Sequence, residues 1–203
     1  AEAYANAHLG ILKSNDSREN SFEVDAVTVN PFLGTDSVLP FIKLARKNGK
    51  GVFILVKTSN PSSKEIQDRK CNNKTIYQIV ANQVNKLGKD LIDKSGYSPI
   101  GAVVASTNPK ITNNLRSIMP NTYFLVPGFG AQRASLKNIA KCFNPNGYGA
   151  IVNSSRGITY AYNLSPWKEK YGTKHWECAV EEAVIRMNND LKEVTGKIRK
   201  KKS

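Results

Sequence analysis

The sequence predicts an α/β fold with a parallel β-sheet. Along the 203 residues, short apolar segments with strand character alternate with segments of helical periodicity. Residues 51–56 are apolar throughout, as expected for a parallel strand that is covered on both faces. No stretch between these segments has the composition of a domain linker. The alternation is typical of a doubly wound sheet or of a barrel.

The predicted strands are short runs rich in Val, Ile, Phe and Ala, bounded by turn-forming residues. They cover residues 24–29, 51–56, 100–105, 123–126 and 149–153. Each is followed by polar, proline or glycine residues, at positions 30–31, 57–60, 106–108, 127–128 and 156–157. In α/β folds, ligands bind at the carboxyl ends of the strands. We therefore expect a binding site on that side, although turn chemistry also favours these residue types there.

The predicted helices lie between these strands and at both ends of the chain. They cover residues 1–12, 37–47, 75–94, 111–118, 135–142 and 174–191, and residues 13–21 are a predicted polar loop. Asp36 is the predicted cap of the second helix, which we expect to end at Asn48 and Gly49 because glycine adopts the left-handed conformation easily. The longest helices are predicted from apolar residues at helical spacing.

The composition is that of a globular protein. Forty per cent of the residues are hydrophobic and 23% are charged, and no apolar run approaches the about 18 residues of a membrane span. Cys71, Cys142 and Cys178 lie far apart without a CxxC motif, which indicates reduced thiols and a cytoplasmic location. Only His8 and His175 are available, so the sequence disfavours a histidine-rich metal site.

The formal net charge of +14 indicates an anionic ligand. Part of this charge is local, because five of the last seven residues are Lys or Arg. We interpret residues 197–203 as a solvated basic tail behind a domain of residues 1–196. Basic residues elsewhere do not alternate with aromatic residues in a stripe. Nucleic-acid binding is therefore an alternative hypothesis, and a small anionic substrate explains the charge equally well.

Residues 149–157 are the most informative segment. A short predicted strand runs into Ser154, Ser155, Arg156 and Gly157. Free backbone N–H groups beside a guanidinium suit a phosphate dianion, because arginine offers paired donors in a planar fork. The last two strand loops of a barrel often form a phosphate site together, and the preceding loop contains GFGAQ at 128–132.

Four motifs resemble one known family. The segments are VDAVTVNPFLG at 24–34, LVKTSNP at 55–61, VPGFGAQ at 126–132 and NSSRG at 153–157. In this order they resemble orotidine 5′-phosphate decarboxylase of the subfamily with bacterial and protozoan members. The resemblance implies a (β/α)8 barrel, of which this chain supplies approximately strands 4 to 8. It also implies decarboxylation of orotidine 5′-monophosphate to UMP without cofactor or metal, and a cytoplasmic homodimer.

The resemblance also implies roles for individual residues. Ser59 would hydrogen-bond the amide edge of the pyrimidine, Thr58 would support its loop, and Pro127 would allow the backbone to approach the base. A phosphate would be held by Gln132 and Arg156, together with the backbone N–H groups of Ser155 and Arg156. Lys57, at the end of a strand, is expected to be structural or to be a charge that faces the carboxylates of the active site, rather than to donate the proton.

One family feature is absent from residues 1–203. The catalytic Lys and Asp residues of the family lie largely in an Asp-x-Lys-x-x-Asp motif, and this chain contains no such motif. It therefore carries no predicted catalytic residue. We expect the chain to begin just downstream of the catalytic strand, to leave both edges of its five-stranded sheet open, and to be inactive alone.

Two alternatives remain at this point. Another phosphate-binding barrel enzyme, such as a sugar-phosphate epimerase or synthase, would need an acid and a base at strand ends. Asp25 lies early in its strand and no carboxylate follows a strand end, which counts against that class. The other alternative is the basic nucleic-acid-binding protein, whose affinity would fall steeply with salt.

Overall fold

The structure is a computed structural model that describes residues 1–13, 18–20, 22, 24–128 and 136–200. In these residues the strands are β1 (Ile11–Lys13), β2 (Arg18–Asn20), β3 (Ala26–Val29), β4 (Gly51–Lys57), β5 (Lys70–Cys71), β6 (Lys74–Thr75), β7 (Ser98–Val104), β8 (Thr122–Val126) and β9 (Ala150–Val152). The helices are α1 (Glu2–Leu9), α2 (Thr35–Asn48), α3 (Ile76–Gly88), α4 (Pro109–Ile118), α5 (Leu136–Ile139), α6 (Ser155–Thr159), α7 (Trp167–Lys170) and α8 (Trp176–Lys200). All five predicted strands are present, with ends shifted by one or two residues.

The chain forms two compact units. The first contains Ala1–Val104 and Ser117–Leu125, and the second contains Ala105–Arg116 and Val126–Ser203. The main sheet has the strand order β3-β4-β7-β8-β9, and its first four strands are parallel. The predicted α/β fold with a parallel sheet is therefore confirmed.

Parallel pairing and apolar side chains build the core of the first unit. Val27 pairs with Val52, and Val52 pairs with Ile100 on the next strand. Successive residues of β4 alternate between buried and half-buried, whereas nearly every residue of β7 is buried. β7 therefore has both faces covered, as a central parallel strand requires. The complete burial of Ile100 and Phe124 places the centre of this core on β7 and β8.

The beginning of the chain differs from the prediction. The first helix ends at Leu9 rather than at residue 12, and Ile11–Lys13 instead pairs antiparallel with Arg18–Asn20. Gly10 follows the helix with an extended backbone that only glycine fits, because a Cβ at this position would lie 2.3 Å from the Asn6 carbonyl oxygen. A short antiparallel strand pair thus replaces the predicted end of the helix and part of the predicted polar loop, and its residues carry no clear strand pattern.

The ends of α2 and α3 show which capping predictions hold. α2 ends at Gly49 with φ 64°, as predicted, but its N-cap is Gly34 and no side chain caps it, so the predicted Asp36 cap is wrong. Asp36 lies in the first turn, where its negative charge interacts favourably with the positive end of the helix dipole. α3 begins with a capping box between Thr75 and Gln78 and ends at Gly88, six residues before the predicted end at residue 94.

A compact insertion follows β4 and precedes α3. It begins with a 3-10 turn at Pro61–Glu65 and continues into the antiparallel pair β5–β6. The turn between these strands is formed by Asn72 and Asn73, both with positive φ, which asparagine tolerates better than most residues. The sequence analysis did not predict this hairpin, because two-residue strands are too short to show a period.

In the second unit, α8 packs on the segment that follows α6. Ala161, Ala179 and Ala183 form a small buried cluster, against which Trp167 and Tyr171 pack. α8 extends to Lys200, so residues 197–200 of the predicted basic tail are helical. Among the helices described, none combines the length and hydropathy that crossing a membrane requires.

Arg116 connects α4 to the start of β9 within the second unit. Its Nη2 donates to the carbonyl oxygens of Cys142 and Gly149, both at 2.7 Å, and its Nε also donates to Cys142 at 3.2 Å. Charge-assisted hydrogen bonds of this kind are stronger than neutral ones. One guanidinium therefore fixes the backbone at Cys142 and at Gly149, the residue directly before β9.

The crowding at Gly101 leads to a prediction about stability. A Cβ at Gly101 would lie 2.4 Å from the Phe53 ring and 3.1 Å from the Tyr123 carbonyl oxygen. Gly101→Ala should therefore lower the free energy of unfolding by about 1–3 kcal/mol, measured by urea denaturation. Gly196→Ala is the control, because nothing lies within 4 Å of a Cβ there and alanine favours a helix. Equal stability of the two variants would contradict this packing.

Thiol reactivity tests the core of the second unit. Cys142 is fully buried, and this burial, opposed only by the nearby Arg116 cation, raises the pKa of its thiol to about 12. Cys71 and Cys178 are exposed. At mildly alkaline pH, a thiol reagent should label these two cysteines rapidly and Cys142 only after denaturation, because the thiolate is the reactive form. Mass spectrometry of the labelled peptides measures this, and rapid labelling of native Cys142 would contradict it.

Candidate functional site

The predicted pyrimidine loop follows β4 in the first unit and is held by side-chain hydrogen bonds. The Thr58 backbone N–H donates to Oε1 of Gln67 at 3.0 Å, and Nε2 of Gln67 donates to Oγ1 of Thr58 at 2.8 Å. The Thr58 hydroxyl in turn donates to Oδ1 of Asn60 at 2.7 Å. Thr58 is thus fully engaged inside its own loop, as a supporting residue would be.

Ser59 differs from its neighbour. Its side chain is half-buried, and in the described part of the chain neither its backbone N–H nor its hydroxyl has a hydrogen-bond partner. A free N–H beside a free hydroxyl can bind a ligand edge that offers an acceptor next to a donor. Thr58 therefore makes its hydrogen bonds within the protein, whereas the N–H and hydroxyl of Ser59 are available to a ligand.

Lys57 is the last residue of β4 and is 5% exposed. Its Nζ lies 2.7 Å from Oδ1 of Asp68 and 3.4 Å from the Ser63 hydroxyl, and 5.6 Å from the centre of the Tyr77 ring. A buried ammonium needs such partners, because desolvating it alone is costly. Of the two roles left open by the sequence, these contacts favour the structural one.

The predicted phosphate residues Ser155 and Arg156 lie in the second unit. The Asn153 N–H donates to the Val126 carbonyl oxygen at 2.9 Å, so the segments after β8 and β9 begin side by side. Ser155 and Arg156 open α6, where their N–H groups lack an acceptor within the helix. The Ser155 hydroxyl donates to Oδ1 of Asn153 at 3.0 Å, which leaves its N–H as the group available to a ligand.

Arg156 has no ion-pair or hydrogen-bond partner for its guanidinium among the residues described. Its side chain is exposed. This contrasts with Arg116, whose guanidinium is committed to backbone carbonyl oxygens. An ion-pair role for Arg156 therefore finds no partner in the described part of the chain.

A cavity of about 680 Å³ borders Arg156 inside the second unit. Its walls are formed by the segment 154–167 and by α8, and they are largely apolar, including Leu164 and Met187. Arg156 and Arg186 are the cations among its described lining residues, and Asp190 is the carboxylate. Arg156 and Arg186 are therefore the described lining groups whose charge could attract an anion.

The other predicted residues of this site are only partly described. Pro127 follows β8 directly, and Gly128 behind it has φ 84°, a left-handed conformation that favours glycine. Gln132 lies outside the described residues, so its predicted contact with phosphate stays a prediction. Among the residues that are described, no group of His, Cys, Asp and Glu could hold a metal ion.

Sequence reasoning missed the residues that hold the pyrimidine loop. Gln67 and Asp68 lie in the insertion after β4, where the sequence shows neither helical nor strand periodicity. Their partners are nine and eleven residues away, so only folding of the insertion brings them together. Ser106, just after β7, lies in the strand-end segment 106–108 but received no role of its own from the sequence, and its buried hydroxyl has no partner in the described residues.

Comparison with known proteins agrees with the resemblance seen in the motifs. A family described as "Orotidine 5'-phosphate decarboxylase / HUMPS family" matches residues 13–169. The chain is 44% identical over 192 residues to an orotidine 5'-phosphate decarboxylase of Rhodopirellula baltica, with 95% of this chain and 63% of that protein covered. The relative of the same name from Caldicellulosiruptor bescii is 44% identical over 162 residues, covering 80% of this chain and 53% of that protein.

Solved structures support the same assignment. A Toxoplasma gondii structure titled as a putative orotidine-monophosphate-decarboxylase has a TM-score of 0.75 and 28% identity, and covers 98% of this chain and 64% of that chain. A Leishmania donovani UMP synthase has a TM-score of 0.68 and 27% identity, and covers 96% of this chain and 36% of that chain.

The chain spans 53% to 63% of the length of the two curated relatives above. The likeness to solved structures confirms the predicted barrel-class α/β fold, and the family match covers more than three quarters of the chain. The chain belongs to the orotidine 5'-phosphate decarboxylase / HUMPS family.

Proposed function

We propose that the complete protein containing this chain decarboxylates orotidine 5′-monophosphate to UMP in pyrimidine biosynthesis. Family membership carries this proposal, together with the name shared by the curated relatives described above. In the reaction the bond between C6 and the carboxylate breaks, CO₂ leaves, and the electron pair that remains on C6 takes up a proton. The chain contains no Asp-x-Lys-x-x-Asp motif, so the groups for that step would come from elsewhere in the complete protein.

Within this proposal, Ser59 recognises the base. Its backbone N–H would donate to O4 of the uracil ring, and its hydroxyl oxygen would accept from the ring N3–H. The free state of both groups in the described structure supports this role. A cytosine ring would bring an amino group toward the Ser59 N–H and leave donors facing each other, which disfavours binding.

The phosphate would bind at the end of β9. The Arg156 guanidinium would donate to phosphate oxygens, joined by the N–H groups of Ser155 and Arg156 and by the Gln132 carboxamide. The unpaired guanidinium at the border of a cavity supports this role, because a phosphate dianion satisfies both its charge and its planar donors. Pro127 and Gly128 would let the backbone approach the nucleotide.

The remaining parts of the proposal concern the oligomeric state, the location in the cell and the role of the phosphate. By resemblance to the family, we include a homodimer and a cytoplasmic location. The reaction as proposed uses no cofactor. Binding energy from the remote phosphate would assist catalysis where it is realised in the transition state.

A thermal-shift experiment on the complete protein tests the phosphate site. UMP should raise the melting temperature, because a ligand that binds only the folded state stabilises it. Arg156→Ala should lower the affinity for UMP about tenfold to a hundredfold, as expected for the loss of hydrogen bonds to a charged group. Arg46→Ala, at an exposed position of α2, is the matched control and should retain the shift.

Two outcomes would contradict the proposal. If Arg156→Ala retained the full shift with UMP, Arg156 would not hold the phosphate. If the complete protein failed to convert orotidine 5′-monophosphate to UMP with release of an equal amount of CO₂, the proposed reaction would be wrong.

A further inference from the structure

The insertion between β4 and α3 contacts two consecutive residues at the start of the pyrimidine loop. Asp68 pairs with the buried ammonium of Lys57, and Gln67 bonds both the backbone and the hydroxyl of Thr58. The next residue in the chain is Ser59. The free N–H and hydroxyl of Ser59 therefore directly follow two residues that Gln67 and Asp68 hold in place.

The hydrogen bonds of Gln67 have one consistent direction. The Thr58 backbone N–H can only donate, so the atom facing it is the carboxamide oxygen, and the carboxamide nitrogen then donates to the Thr58 hydroxyl. The Thr58 hydroxyl in turn donates a hydrogen bond to Oδ1 of Asn60. This series of hydrogen bonds fixes the peptide plane between Lys57 and Thr58. It also fixes the side chain of Asn60, the residue that follows Ser59.

Gln67 is itself held in place. Its backbone N–H donates to the Ser63 carbonyl oxygen at 2.8 Å, and its carbonyl oxygen accepts from the Tyr77 N–H at 3.1 Å. Tyr77 lies in the first turn of α3, which begins at the capping box of Thr75. The carboxamide is thus anchored to the start of a helix and not to a loose loop, which is what accurate positioning of a binding group requires.

We propose that Gln67 is a positioning residue for base recognition, whose carboxamide holds the Thr58–Ser59 backbone so that the free N–H and the free hydroxyl of Ser59 meet the uracil edge. This inference rests on the proposed function. It assigns the selectivity for uracil over cytosine partly to a residue that does not touch the ligand. Without the carboxamide, the Ser59 N–H samples other directions and the base loses its hydrogen bonds, whereas a phosphate held at β9 does not depend on Gln67.

The test compares three ligands on the complete protein: UMP, CMP and ribose 5-phosphate. Gln67→Met keeps the length of the side chain but removes both of its hydrogen bonds to Thr58. In calorimetric titration, its affinity for UMP should fall about tenfold, because a displaced binding group loses most of its contribution. Its affinity for ribose 5-phosphate should be unchanged, and its preference for UMP over CMP should shrink.

Two further variants sharpen the comparison. Gln67→Glu retains an oxygen that can accept from the Thr58 N–H, and it should recover part of the affinity for UMP. Gln83→Ala is the control, because Gln83 is an exposed glutamine on α3, and it should match the unsubstituted protein with all three ligands.

The outcomes separate this inference from the proposed function. If the unsubstituted protein prefers UMP to both other ligands and Gln67→Met keeps the same preferences, Gln67 does not position the loop and only this inference is wrong. An equal loss for all three ligands would also overturn it, because that pattern indicates a general structural role. If the unsubstituted protein binds UMP no more tightly than ribose 5-phosphate, the proposed function fails and this inference fails with it.

Discussion

The ion pair between Lys57 and Asp68 is the contact on which the candidate base site depends. Lys57 ends a central parallel strand, and its ammonium is buried where water cannot solvate it. Burial of an unpaired charge is strongly unfavourable, so the insertion that carries Asp68 must fold back onto the strand end. The same folded path of the segment places Gln67 beside Thr58. One electrostatic requirement thus links the end of β4, the insertion and the start of α3.

The second unit uses arginine in two opposite ways. Arg116 has a structural role. Its guanidinium donates to the backbone carbonyl oxygens of Cys142 and Gly149 and so holds the chain where β9 starts. Arg156, just beyond the end of β9, has no such partner in the part of the chain described. The structural arginine fixes the strand, and the strand then presents the uncommitted one. This arrangement is consistent with a preformed anion site, which needs a free cation on a rigid support.

Local chemistry accounts for the predictions that the structure confirms. The end of α2 at Gly49 follows from the low cost of a left-handed glycine, and the central strands follow from their apolar composition. The predicted Asp36 cap is wrong because local preference was the only basis for it, and the chain instead enters α2 through Gly34. The early end of the first helix depends on a contact between Gly10 and Asn6 that composition does not show. The hairpin β5–β6 was missed because strands of two residues carry no period.

The sequence by itself determined the α/β class, the positions of the five main strands along the chain and the motifs that place this chain in its family. These properties arise from residue type, spacing and local turn chemistry, which are written along the chain. Only the tertiary structure decided which polar groups are hydrogen-bonded within the protein and which remain free to bind a ligand. Thr58 and Ser59 are adjacent and chemically alike, yet Gln67 occupies the first and nothing described occupies the second. Hydrogen-bond partners distant in sequence meet only when the backbone is folded, so the difference between these two hydroxyls lies in the fold.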